Sequence, residues 1–140
     1  LIGGSSPGAF RRVARFGDGW HATAATPAAL VEGQAAIGRH WHEFQRAGTP
    51  LWTLRIPLLV EGVHRPAVDM RWLAGRYAIR GRVDQVIEQL LEYQRLGVSH
   101  VALDVSYTSY PAILDTVELI TEQVKPRVSE PTRTGQETIA

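Results

Sequence analysis

Apolar residues recur along this chain with two periods, and the changes of period mark out alternating strands and helices. Leu1 and Ile2 end at Gly3-Gly4-Ser5-Ser6-Pro7, so the chain opens as the end of a buried strand, a glycine turn and a helix start. Ser6 suits the N-cap, and Pro7 suits the first helical position, where its missing N–H costs nothing. The helix is predicted to run to about Phe16, with Phe10, Val13 and Ala14 on one side and Arg11, Arg12 and Arg15 on the other. Gly17-Asp18-Gly19 breaks it, and Trp20 to Ala24 reads as a short strand. The clearest helix spans Thr26 to Ala47, with Thr26 as cap, Pro27 in the first turn, and Leu30, Gln34, Ile37, Trp41 and Phe44 at helical spacing. Gly48-Thr49-Pro50 ends it. Gly33 and Gly38 each weaken it by about 1 kcal/mol relative to Ala, which close packing on a sheet would explain.

Leu51 to Val60 is nearly continuous apolar chain of strand length, the pattern of a strand covered on both faces. Pro57 within it points to an edge, a bulge or the last rungs of pairing. Glu61 to Arg80 shows no clean period and reads as a long excursion, with a helical turn around Val68 to Tyr77. A helix over Val83 to Leu96 follows, with Val83, Val86, Ile87, Leu90 and Leu91 inward and Gly97 as its stop. Val98 to Val105 is then a strand, with Val101 and Leu103 buried and Asp104 at its carboxyl end. From Thr108 or Ser109 a last helix carries Ile113, Leu114, Val117, Ile120 and Val124, and Pro126 closes it. The residues that remain, 128–140, read as a disordered polar tail behind a domain of residues 1–127. Four strands, around Ile2, Trp20, Leu54 and Leu103, alternate with helices and imply an α/β fold of parallel strands with right-handed crossovers. That is half of a (β/α)8 barrel, or a small open sheet.

Composition narrows the function without naming it. Lys+Arg 15 against Asp+Glu 14 gives a formal net charge of +1, and no basic block tracks a phosphate backbone, which argues against a nucleic-acid partner. The absence of cysteine excludes disulfides, cysteine-ligated zinc and thiol nucleophiles, and it fits a cytoplasmic location. No apolar run reaches the roughly 20 residues that span a bilayer.

Candidate chemistry gathers at the opening turn. Gly3 and Gly4 let a ligand approach the backbone, and Ser5 and Ser6 add hydroxyls beside amides that open a helix, an anion site in outline. The residues alone do not choose between that and a tight capped turn, since neither a Walker loop nor Gly-x-Gly-x-x-Gly is present. Asp18 between glycines sets turn geometry, and whichever of Trp20 and His21 points inward lines a barrel mouth, where an aromatic ring can stack on a flat cofactor. His40 and His42 read as solvated, His64 falls in the irregular segment, and His100 reads as a sheet-end residue. Asp104 is a candidate for binding polar groups. No metal-ligand spacing, paired carboxylate set or nucleophile elbow appears, and the catalytic residues stay unassigned.

Three segments together carry a resemblance. They are Ile2-Gly3-Gly4-Ser5-Ser6-Pro7 with Arg11 to Trp20, Gly81-Arg82-Val83-Asp84-Gln85-Val86 with Tyr93, and Leu96-Gly97-Val98-Ser99-His100-Val101-Ala102-Leu103-Asp104. Together they resemble the C-terminal half of luciferase-like flavin or deazaflavin oxidoreductases, in the coenzyme F420-dependent branch, over nearly all of residues 1–127. The resemblance implies the C-terminal half of a TIM-type barrel that binds F420, alternatively FMN, for hydride transfer with a small organic substrate or for monooxygenation. It assigns cofactor binding to Gly3, Gly4, Ser5, Ser6 and Trp20. One departure is that Gly81-Arg82-Val83-Asp84 stands where such proteins have Gly-Ser/Thr-Pro-Glu, so a hydroxyl cap is lost. Four strands do not close a barrel, so the expected state is a fragment, inactive alone, that pairs its open edges in a homo-oligomer or with an N-terminal half-barrel. A non-catalytic half-barrel acting as a binding module is the reading from a different class.

Overall fold

The computed structural model describes residues 1–63, 75–105 and 109–129. In chain order the elements are β1 (Ile2–Gly3), α1 (Pro7–Phe16), β2 (Gly19–Thr23), α2 (Pro27–Glu43), β3 (Leu51–Val60), β4 (Ile79–Gly81), α3 (Val83–Arg95), β5 (His100–Asp104) and α4 (Tyr110–Leu119). A π turn over Ile120–Val124 leads into α5 (Lys125–Val128). Every strand pairing is parallel: β1 with β2, β2 with β3, and β3 with both β5 and β4.

The helix starts follow from their caps. The Ala9 amide donates to Ser6 Oγ at 3.2 Å, and the Ala29 amide donates to Thr26 Oγ1 at 3.1 Å. Pro7 and Pro27 follow these caps at positions that need no donor. At α3 the missing hydroxyl cap is replaced from the other side, where Gln85 Oε1 accepts the Arg82 amide at 2.9 Å. Gly97 stops that helix at φ +83°, a left-handed backbone that favours glycine.

Parallel register puts paired residues on the same sheet face. Trp20, Ala22, Leu54, Ile56, Leu58 and Ile79 turn to one face and form the core with Val13, Leu30, Ile37, Val86, Ile87 and Tyr93 of the helices. Each fully buried Leu or Ile there contributes about 2 kcal/mol of transfer free energy. Trp20 is the largest of these strand residues, and its ring lies under α2. A Cβ added at Gly33 would come within 2.4 Å of that ring, and Phe10 packs edge-on at 5.3 Å from the other side. Gly33 is therefore a packing requirement. Gly38 is not, since a Cβ there would meet nothing within 4 Å.

Several sequence expectations are corrected. Among the described residues the sheet has five strands rather than four, because Ile79-Arg80-Gly81 pairs with Leu58–Val60 and is too short to show a period of two. β3 is covered evenly on its helix-facing side, whereas on the other face Arg55 is exposed between buried Thr53 and Pro57. Val101 and Leu103 are half-buried rather than buried. The inward stripe of α4 is Ala112 and Thr116, whereas Leu114 and Val117 are 51% and 49% exposed. The small Ala side chain and a hydroxyl that donates internally, Thr116 Oγ1 to the Ala112 carbonyl at 2.6 Å, let that side approach the core. Pro126 does not end the helix. The π turn offsets the hydrogen-bond ladder before it, so the chain continues helically to Val128, the first residue of the expected tail. Residues 130–140 and most of the helical turn expected at 68–77 lie outside the described residues.

Among the described residues the sheet is open. β1 pairs only with β2, β5 only with β3, and Tyr110, Leu114 and Val117 are exposed on the helix after β5. In denaturant titration, Gly33→Ala is expected to cost about 1–3 kcal/mol through overpacking against Trp20. Gly38→Ala is expected to gain up to about 1 kcal/mol from helix propensity alone. Equal effects of the two substitutions would contradict this division of roles.

Candidate functional site

The carboxyl ends of β1 and β2 lie side by side, and each runs through a short loop into a capped helix. Gly4 makes the first of these turns possible: its φ is +101°, and a Cβ there would sit 2.9 Å from that of Ala9. Gly3 is different. Its nearest obstacle is the His21 carbonyl at 3.6 Å, an ordinary contact, so packing does not require a glycine there and the exposed backbone at this position is left open.

The turn is held from below by Trp20, whose indole N–H donates to the Gly4 carbonyl at 2.8 Å. The ring is only 3% exposed and is enclosed by Gly33 and Phe10, so it offers no free face for stacking. The first turn of α1 presents few amides, because Pro7 has none and Ser6 Oγ takes that of Ala9. Ser5 is exposed beside them. A cleft of about 500 Å³ opens here, lined by Gly4, Ser5, Trp20, Thr26, Glu32 and Tyr77 among others. Glu32 is the only charged residue among the described ones lining it, so any anion at the turn is held by neutral donors.

The second loop is fixed by a long-range contact. Tyr93 of α3 donates its hydroxyl to the Ala25 carbonyl at 2.6 Å, and burial pushes its phenol well above the ordinary value. Gln34 Nε2 donates to the Leu96 carbonyl at 2.8 Å, so α2 and the end of α3 are tied together beside it. A smaller, mainly apolar cleft of about 280 Å³ lies between α3 and the Ile120–Ser129 segment, with Gln94, Ser99, His100 and Lys125 among its lining.

The sheet face turned away from the helices is polar. Gly3, His21, Thr53 and His100 form one row across β1, β2, β3 and β5, and Thr23, Arg55 and Ala102 form the next. His21 Nδ1 lies 2.8 Å from Thr53 Oγ1, and Arg55 pairs with Asp104 at 2.5 Å. Of the two residues leading β2, His21 is thus the one directed away from the helices and Trp20 the one directed into them.

Gly4, Ser5, Ser6 and Trp20 come together at one turn, with Gly3 at its strand end. Asp18 does not join them; it is exposed at the opposite end of β2, 4.0 Å from Arg46. His40 pairs with Glu43 at 2.8 Å, which lowers the Glu43 carboxyl below the usual range, and His42 is exposed. His64 lies outside the described residues. Asp104 is held by Arg55, and no group of acidic or imidazole ligands for a metal forms among the described residues. Sequence reasoning passed over Thr53 and Arg55. Their signal was present as two polar residues at i, i+2 inside an otherwise apolar strand.

Removing the indole donor tests how far the turn depends on it. Trp20→Phe is expected to lower stability by about 1–3 kcal/mol, from the lost hydrogen bond and the volume beneath Gly33. The amide resonances of Gly4 and Ser5 should shift with it; unchanged resonances there would contradict the coupling.

No family model matches this sequence, and no curated protein matches it. Among solved structures, the chain is similar to an F420-dependent secondary alcohol dehydrogenase in complex with an F420-acetone adduct, with a TM-score of 0.65 at 14% identity. The match covers 91% of this chain and 48% of that one, so this chain spans about half the length of the structure it matches, and what the two share is the α/β fold of parallel strands alternating with helices.

Proposed function

We propose that this chain is the cofactor-phosphate half of an F420-dependent oxidoreductase of the luciferase-like type, acting on a small organic substrate. The observation that carries the reading is the turn at Gly3 to Ser6. It stands at the carboxyl end of a parallel strand, opens a capped helix, and faces a cleft of about 500 Å³. Anion sites form at such positions because amides and a helix dipole converge there. The fold likeness to an F420-dependent enzyme supports the same reading and is the ground for naming F420 ahead of FMN.

The residues present fit a phosphate on steric grounds. Gly3 leaves the backbone uncovered where nothing in the packing demands it, and Ser5 adds an exposed hydroxyl. When bound, F420 supplies hydride transfer at its deazaflavin ring. Gly3, Gly4, Ser5 and Ser6 hold its phosphate, and Trp20 acts through the Gly4 carbonyl rather than by stacking. FMN ends in a phosphate too and would use the same donors. The open edges of β1 and β5 are where further barrel strands pair, from a second copy of this chain or from an N-terminal half-barrel.

The test is an amide-resolved NMR titration of the full chain with inorganic phosphate, then with F420 and FMN. Phosphate is expected to shift the Gly4, Ser5, Ser6 and Gly8 amides at millimolar concentration, and Ser5→Glu to weaken the response at least tenfold by charge repulsion. F420 should shift the same amides at lower concentration than FMN. Shifts that appear elsewhere, or that survive Ser5→Glu, would sink the proposal.

A further inference from the structure

The open face of the sheet carries a neutral-partner pair, His21 with Thr53, that the cofactor turn does not use. His21 and Thr53 face each other across β2 and β3, with Nδ1 and Oγ1 2.8 Å apart. Thr53 is 7% exposed, and its Oγ1 also lies 3.4 Å from the Trp20 carbonyl oxygen. A hydroxyl has one proton to donate, and a carbonyl oxygen only accepts. If the Thr53 proton goes to Trp20, Oγ1 meets His21 with a lone pair, and Nδ1 must carry the hydrogen between them.

We propose that Thr53 fixes His21 as the Nδ1–H tautomer, so that the Nε2 lone pair faces the open side of the sheet and accepts a hydrogen bond from a hydroxyl-bearing small molecule. The partner of one ring nitrogen sets the state of the other. Nε2 has no partner among the described residues, and the His21 side chain is half-buried rather than enclosed. The backbone beside it is Gly3, whose lack of a side chain keeps the approach clear. The next row holds Arg55, whose guanidinium is already paired with Asp104. Thr53 is a positioning residue in this arrangement, and His21 is the group that meets the ligand. The inference goes beyond the cofactor reading and stands without it.

Ring-nitrogen NMR of the cofactor-free full chain tests the pair. In the wild type and in Thr53→Ser, His21 is expected to be mainly the Nδ1–H tautomer. In Thr53→Val the population is expected to invert toward Nε2–H, while His40 and His42 on α2 stay unchanged. Diethyl pyrocarbonate, which acylates an accessible imidazole lone pair, should modify His21 at a rate within about tenfold of exposed His42, read by peptide mass mapping. A wild-type His21 in the Nε2–H form, a tautomer indifferent to Thr53→Val, or a His21 untouched by the reagent would each overturn the proposal. None of these readouts depends on F420 binding, so failure here and failure of the cofactor reading are separate results.

Discussion

One contact joins the packing of this domain to its site: Trp20, inserted beneath Gly33 and hydrogen-bonded to the Gly4 carbonyl. Its body belongs to the core, against Phe10 and under α2, and its single polar atom reaches the turn after β1. A buried indole N–H requires an acceptor, and the site turn provides it. The conformation of the turn is therefore not a local matter of two glycines. It is set by how closely α2 sits on β2, which the missing side chain at residue 33 decides.

The same economy recurs at the second loop, where the Tyr93 phenol crosses from α3 to the Ala25 carbonyl. Both contacts place an aromatic body in the helix-facing core and a donor against a carbonyl at the carboxyl end of a strand. Loops positioned this way are held by the most stable part of the fold, which is the condition for a preorganised binding surface. The opposite sheet face follows another rule. There the residues in register are His21 with Thr53, and Arg55 near Asp104, polar groups that pair with one another and leave room beside them. Among the described residues the sheet thus has one apolar and one polar face, with β1 paired only to β2 and β5 only to β3.

Much of this was legible in the residues. Ser6-Pro7 and Thr26-Pro27 announce two helix starts, Gly97 a helix stop, and the spacing of Leu30, Ile37 and Trp41 a buried stripe, because caps and periodicity are local properties of the chain. The grouping of Gly4, Ser5 and Ser6 was legible for the same reason. β4 was not, since three residues carry no period. The inward face of α4 is not legible, because hydrophobicity favours Leu114 and Val117, whereas the buried positions hold a small side chain, Ala112, and an internally hydrogen-bonded hydroxyl, Thr116. Pro126 reads as a stop in the sequence because the rule that proline breaks a helix takes no account of a π turn placed ahead of it.

The turn with which the chain opens thus had its composition determined by sequence alone: two glycines, two serines and a proline can only be a tight, cappable bend. What sequence left undecided was which neighbour faces the helices and which faces the open sheet. Trp20 and His21 are adjacent and both suited to a strand, so nothing local separates them. The parallel register with β3 separates them, placing Trp20 level with Trp52 under α2 and His21 level with Thr53 on the polar face. That assignment is a property of strand pairing over 30 residues of separation, and it puts the tryptophan in the core as a support and the histidine on the polar face.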